Sequence, residues 1–158
     1  MIFVGRRVPA GRLQGVIDDP EAIDALIHGE SGDADSEIDL DKSWHGLHYL
    51  LTGTTWEIAD GAGSAILGGA EIGDDNGYGP PRLLQPAEVQ AVAAALSPIT
   101  ADALRARWDP AALTEAEVYP QYWDDTDFES YLAPNFTVLR DFYLSAAAAN
   151  QAVVLVIA

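Results

Sequence analysis

Two histidines, His45 and His48, are the residues whose type and spacing come nearest to a metal or acid–base site. Their H-x-x-H spacing lacks the glutamate of the H-E-x-x-H zinc peptidases, and the chain has no cysteine that could complete a zinc site. We therefore expect structural roles for both rings. His48 is predicted to lie on a buried helix face, where it needs a hydrogen-bond partner, and His45 to point toward solvent. No metal ion and no cofactor are expected.

Tyr78 and Arg82 suggest a binding pocket. They flank the turn-forming sequence Gly79-Pro80-Pro81, and an aromatic face beside a guanidinium forms a pocket rim for an anionic or planar ligand. Arg82 can instead pair with one of the many carboxylates of the chain. The sequence predicts no catalytic residues and a ligand-binding site made of Trp44, His48, Tyr78, Arg82 and Tyr119.

Two further catalytic patterns are incomplete. The sequence contains no G-x-S-x-G elbow, which a serine hydrolase of the α/β type needs. Residues 121–129 combine aromatic rings with carboxylates, a mixture that suits sugars, basic partner segments or a glycosidase-like pair of acids, but nothing in the sequence fixes the distance between two carboxylates. We expect a partly exposed loop that Trp123 and Phe128 pack against the core.

One well-bounded helix must position the candidate site. Trp44, Leu47 and Leu51 have the i, i+3, i+7 spacing of a buried face. Asp41 or Ser43 is predicted to cap the start of this helix, and a glycine at position 53 is predicted to end it in the left-handed conformation. The aromatic side chain of Trp44 is thereby directed toward the core.

The two ends of the chain predict the centre of the fold. Residues 2–8 have the pattern of a strand, and residues 152–157 form an uninterrupted apolar run that is typical of a strand buried on both faces. Helical patterns lie between them, with proline at the first position of several. We predict a single α+β domain over residues 1–158, in which a small sheet pairs the N- and C-terminal strands and several helices surround it.

Residues 30–41 are the most polar part of the sequence, with an acidic residue at every second position from 33 to 41. The spacing of glycine and glutamate in a calcium-binding EF-hand loop is not met. We expect a solvated acidic loop whose far end is anchored to the core by Ile38 and Leu40.

The charge of the chain limits the classes of partner. With 25 acidic and 8 basic residues the formal net charge is −17, which repels nucleic acid and anionic lipid. Such a surface suits a basic protein partner, or serves only solubility. No apolar run approaches the ~18 residues of a membrane span, and the first residues lack the order of a signal peptide, so we expect a cytoplasmic protein that binds no membrane.

Several short motifs follow one another over nearly the whole chain: Leu40-Asp41-Lys42, Trp44, Leu47-His48, Leu51-Thr52-Gly53, Ala65-Ile66-Leu67-Gly68-Gly69, Tyr78-Gly79-Pro80, Arg82 and Val118-Tyr119-Pro120. In this order they resemble the YfbM-like family, a bacterial group known as domain of unknown function 1877. The resemblance implies a compact α+β domain and carries no established activity.

Two classes of function follow from these observations. The first is a non-enzymatic acidic interaction module, for example an inhibitor or immunity protein that caps a basic partner; this is an analogy drawn from charge and small size. The alternative is a small-molecule binding protein, or a hydrolase, that uses a pocket near Trp44, His48, Tyr78 and Arg82.

Overall fold

The computed structural model describes residues 1–28 and 36–158 and shows an α+β fold. The strands in these ranges are β1 (Phe3–Val8), β2 (Glu37–Asp41), β3 (Ala70–Glu71), β4 (Arg82–Leu84) and β5 (Ala152–Ile157). The α-helices are α1 (Ala10–Asp18), α2 (Pro20–His28), α3 (Ser43–Thr52), α4 (Ser64–Leu67), α5 (Pro86–Leu96), α6 (Ala101–Arg105), α7 (Pro110–Glu115) and α8 (Ala133–Ala148). A 3-10 turn, Gly61–Gly63, leads into α4, and a π-helical turn, Phe128–Leu132, leads into α8.

The five strands form one antiparallel sheet in the order β2-β1-β5-β4-β3. β1 and β5 pair along their whole length, with Val4 opposite Val156 and Val8 opposite Ala152. The predicted pairing of the two ends of the chain is therefore confirmed, and so is the α+β class.

Helices cover both faces of the sheet, which explains the uninterrupted apolar sequence of β5. Val153 and Leu155 point into the larger core, together with α3, α5 and α8. Val154 and Val156 point into a smaller core that α1 and α2 cover. Because successive side chains of a strand alternate between the two faces, a strand covered on both sides needs apolar residues throughout.

The acidic segment before α3 is a strand at its C-terminal end, so the prediction of a loop was wrong for residues 37–41. Ile38 and Leu40 are buried, as expected, and alternate with exposed acidic side chains on β2. This alternation is the pattern of an edge strand with one solvated face, where charged side chains also discourage pairing with another chain. Residues 29–35 of the predicted loop lie outside the described residues.

Three helix ends carry typical capping residues, whereas the start of α3 has no side-chain cap. Gly53 ends α3 with φ of 77°, Thr100 caps α6, and Asp109 caps α7. The predicted cap of α3 by Asp41 or Ser43 was wrong: α3 begins without a side-chain cap, while the Ser43 hydroxyl donates to the Leu40 carbonyl and the Asp41 carboxylate accepts from the Tyr131 hydroxyl.

Within residues 1–28 and 36–158, no helix combines the length and the hydropathy that crossing a bilayer requires.

Gly69 and Gly53 offer a matched test of the fold. Both have positive φ, 89° and 77°, but an added Cβ at position 69 would lie 2.6 Å from the Leu83 carbonyl oxygen, whereas the space at position 53 is open. We expect Gly53→Ala to lower the free energy of unfolding by about 1–2 kcal/mol through backbone strain alone. Gly69→Ala should lower it by about 3 kcal/mol or more, since steric overlap with the backbone of β4 adds to the strain. Urea denaturation of both variants measures the difference, and equal losses would contradict the described packing of β4.

Candidate functional site

A cavity of about 240 Å³ opens at one end of the sheet. It lies where β5 ends, β4 begins and β3 ends, so that neighbouring antiparallel strands contribute to the same site. We call it the sheet-end cavity. Its lining is mostly apolar and consists of Met1, Trp44, Trp56, Ile58, Ile66, Leu67, Glu71, Tyr78, Gly79, Pro80, Arg82, Leu155, Val156 and Ile157.

Trp44 forms the inner wall of the sheet-end cavity. Helix α3 places its side chain in the core, where it is fully buried. Its ring stacks on the imidazole of His45 at 4.7 Å between centroids and 13° between planes. The indole N–H has no hydrogen-bond acceptor within the part of the chain that the structure describes.

His45 is buried, so the prediction that it points toward solvent was wrong. Its Nδ1 accepts a hydrogen bond from the backbone N–H of Tyr119 at 2.9 Å. A neutral imidazole has one donor and one acceptor, and Nε2 therefore donates to the Thr55 carbonyl, also at 2.9 Å. These two hydrogen bonds to backbone groups stabilise the buried position of the His45 side chain. Neither of them can be predicted from the local sequence.

The hydrogen bonds of His45 also position Trp56, which forms the outer wall of the sheet-end cavity. The Thr55 carbonyl immediately precedes Trp56, whose ring lies 4.5 Å from the imidazole and 6.0 Å from the ring of Trp44. Trp56 remains 58% exposed. An exposed tryptophan at the mouth of an apolar cavity provides a flat surface for a ligand.

Tyr78 stands at the mouth of the cavity on a loop that its own polar side chains shape. The Asp75 carboxylate accepts from the Gly77 N–H, and the Asn76 side chain accepts from the Tyr78 N–H. The Asn76 amide also donates to the carbonyl of Ile157 at the end of β5. Gly77 has φ of 100°, a conformation that favours glycine. The loop thereby fixes Tyr78, which is 58% exposed, beside the sheet.

Arg82 lines the cavity but is engaged by neighbours. Its guanidinium donates to the Glu71 carboxylate at 2.8 Å and to the Gly69 carbonyl at 3.1 Å. The sequence left open that Arg82 pairs with a carboxylate, and Glu71 is this partner. The charges of Arg82 and Glu71 balance each other at the rim.

His48 and Tyr119 are not among the lining residues. His48 is buried on α3, and its Nε2 has no partner among the described residues. Tyr119 lies behind Trp44, with 6.5 Å between the ring centroids, and its hydroxyl accepts from the amino group of Met1. The structure therefore brings together Trp44, Tyr78 and Arg82 and leaves the other two of the five predicted residues outside the cavity.

The cavity is also lined by Trp56, Ile58 and Glu71, which were not predicted from the sequence. Trp56 and Ile58 follow the glycine that ends α3, in a segment with no periodic apolar pattern. The sequence signal that could have identified these two residues is that they are bulky and apolar but lie outside any helix or strand pattern. Glu71 had none, because its pairing with Arg82 depends on the register between β3 and β4.

Two depressions that share Trp123 and Asp124 lie on the surface, and we call them together the acidic groove. Its lining residues are Pro110, Ala111, Thr114, Glu115, Pro120, Tyr122, Trp123, Asp124, Asp125, Asp127 and Tyr131. Trp123 and Phe128 are buried, as expected for this segment, whereas Tyr122 is 78% exposed. Hydrogen bonds from Thr126 lower the pKa of Asp124, which keeps this carboxylate charged.

Burial also sets the charge of the two histidines. Desolvation lowers the pKa of His45 against the opposing effect of its bond to the Thr55 backbone. Desolvation, with the neighbouring His45 as a smaller cause, lowers the pKa of His48 to about 4, although the Glu57 backbone acts in the other direction. Both rings are therefore neutral at pH 7, which agrees with the hydrogen bonds of His45.

Comparisons with known proteins agree with the fold and assign no activity. The family model described as "domain of unknown function (DUF1877)" matches residues 1–156. Among solved structures, the crystal structure of YfbM from Escherichia coli, a protein of unknown function, shares 20% sequence identity with this chain, with a TM-score of 0.72 and 100% coverage of both chains. A likeness at this identity shows the fold alone. A search of curated proteins finds no match. The predicted resemblance is confirmed.

The lowered pKa of His48 predicts that acid weakens the fold. The unfolded chain takes up this proton near the ordinary pKa of 6.5 and the folded chain only near about 4. The stability that neutral His48 contributes is therefore complete above pH 6.5 and is lost as the pH falls toward 4. The free energy of unfolding should fall between about pH 7 and about pH 4.5. We expect this fall to be about 2–3 kcal/mol smaller in His48→Gln than in the unsubstituted protein. Urea denaturation at both pH values tests this, and equal losses would contradict a buried neutral His48.

Proposed function

Because the chain belongs to the DUF1877 family, which is defined without an assigned activity, we propose its function from the geometry: the protein binds a small molecule in the sheet-end cavity. The observation that carries this proposal is the exposure of three large apolar side chains around one opening. Trp56, Ile58 and Tyr78 are each at least half exposed, and all three line the cavity. Exposed apolar side chains that cluster at a concave site mark a binding surface.

The lining supports binding without chemistry. Among the described residues that line the cavity there is no serine or histidine, and the one carboxylate, Glu71, is paired with Arg82. The nearest imidazole, His45, uses both nitrogens in backbone hydrogen bonds. A general base needs a free basic atom within reach of the substrate. We therefore favour a binding protein over a hydrolase.

A thermal-shift panel tests the proposal. The compounds are nucleotides, sugars, organic acids, divalent metals and small aromatic molecules, each at millimolar concentration. A ligand present at about 100 times its Kd stabilises the folded state by about 2.7 kcal/mol, which raises the Tm of a domain of this size by about 5–10 °C. We expect Trp56→Ala and Tyr78→Ala to reduce this shift strongly.

Tyr122→Ala is the matched control, because Tyr122 is an exposed tyrosine that lies outside the sheet-end cavity. This variant should keep the full shift. A panel without any stabilising compound, or a shift that Tyr122→Ala reduces as much as Tyr78→Ala does, would overturn the proposal.

A second candidate function rests on the acidic groove. It is the acidic interaction module, which caps a basic protein in the manner of an inhibitor or immunity protein. The supporting observation is that the highly exposed Tyr122 shares the groove with several carboxylates, with no lysine or arginine among the lining residues that the structure describes. An aromatic ring beside several carboxylates suits lysine or arginine side chains of a partner.

Two substitutions that each remove one negative charge distinguish binding in the acidic groove from a general effect of the acidic surface. Asp125 lies in the acidic groove, whereas Asp24 is exposed on α2, which packs on the other face of the sheet. We expect Asp125→Asn to weaken binding of a fluorescent lysine-rich peptide about threefold, Asp24→Asn to leave it nearly unchanged, and Tyr122→Ala to weaken it further. Fluorescence anisotropy at low salt measures these constants. Equal effects of the two aspartate substitutions would contradict a defined groove.

A further inference from the structure

We propose that the ligand of the sheet-end cavity is an uncharged, planar molecule of one or two fused rings. This inference rests on the proposed function and goes further, because it names the chemical class that the cavity takes. Three observations carry it: the volume of the cavity, the composition of its floor and rim, and the pairing of its two charged side chains.

The volume sets the size of the ligand. The cavity measures about 240 Å³, whereas sites for drug-sized ligands occupy roughly 300–1,000 Å³ and a cavity of about 150 Å³ holds benzene. One ring or two fused rings therefore fill the space. A dinucleotide or an oligosaccharide is too large to be enclosed.

The floor and rim favour an apolar, flat molecule. Ile66, Leu155 and Ile157 are apolar lining residues, and a charged group placed against them would lose its hydration. Trp56 and Tyr78 at the mouth each keep about 58% of their surface exposed and offer ring surfaces for stacking. Aromatic pairs gain attraction from their ring geometry in addition to the area they bury.

The charges at the rim exclude a strong preference for an ion. Arg82 could attract an anion and Glu71 a cation, but the two side chains bind each other at 2.8 Å. The Gly69 carbonyl takes a further guanidinium N–H. A net charge of −17 disfavours an anion in addition. An uncharged ligand gains the apolar contacts and leaves the ion pair intact.

Four probes with one ring scaffold test the class by isothermal titration calorimetry: naphthol, naphthoate, naphthylmethylammonium and decahydronaphthol. We expect naphthol to bind at least about tenfold more tightly than the two charged probes and about threefold to tenfold more tightly than decahydronaphthol. Trp56→Ala should weaken naphthol binding about tenfold, and Tyr122→Ala should not change it. Both substituted residues are exposed, so the variants keep the fold, which circular dichroism checks.

The double variant Glu71→Gln, Arg82→Gln separates an uncharged ligand from an ion. With the ion pair removed, we expect naphthol to remain the tightest-binding of the four probes. Tightest binding by naphthoate with loss in Arg82→Gln, or by naphthylmethylammonium with loss in Glu71→Gln, would overturn the inference. Equal binding of decahydronaphthol and naphthol would overturn the requirement for a planar ring.

The two proposals fail in different ways. If none of the four probes binds while another compound of the thermal-shift panel does, and Tyr78→Ala removes that binding, the ligand class is wrong and the proposed function stands. If neither the probes nor any panel compound binds, both proposals are overturned.

Discussion

The central strand β5 is the constraint on which the rest of the structure depends. Its side chains are apolar on both faces, so the chain must cover each face with helices and flank the strand with β1 and β4. The same strand also makes the candidate site. Its last residues form part of the cavity floor, and the Ile157 carbonyl holds the loop that carries Tyr78. Fold and site therefore share one element.

His45 positions Trp56, which forms the outer wall of the cavity. A neutral imidazole links α3 to the segment before Trp56 and to the turn at Tyr119, and these are separated along the chain by 10 and 74 residues. Because Nδ1 must accept a hydrogen bond, protonation would break the link to Tyr119. Burial lowers the pKa of this ring, and thereby protects the arrangement at neutral pH.

The strong acidity of the chain and the apolar character of the cavity occupy different parts of the molecule. Most of the carboxylates lie on the exposed surface, including the outer side of β2 and the acidic groove. Three arginines instead form specific contacts: Arg82 with Glu71, Arg107 with the Leu50 carbonyl and Arg140 with the Ile99 carbonyl. Net charge thus governs the solubility of the protein and its encounters with other molecules, whereas the cavity selects a ligand by shape and apolar area.

The sequence by itself determined the fold class, the pairing of the two ends of the chain and the place of helix α3. These features depend on local patterns: the apolar run of β5, the helical spacing of Trp44, Leu47 and Leu51, and the glycine that ends α3. It also predicted a site of five residues, Trp44, His48, Tyr78, Arg82 and Tyr119, and three of these line the cavity. Only the tertiary structure decided that His45 is buried, that Trp56 and Glu71 join the cavity, and that His48 and Tyr119 do not. These outcomes depend on hydrogen bonds and strand register between segments far apart in the chain, and no local pattern encodes which distant backbone group a side chain will meet.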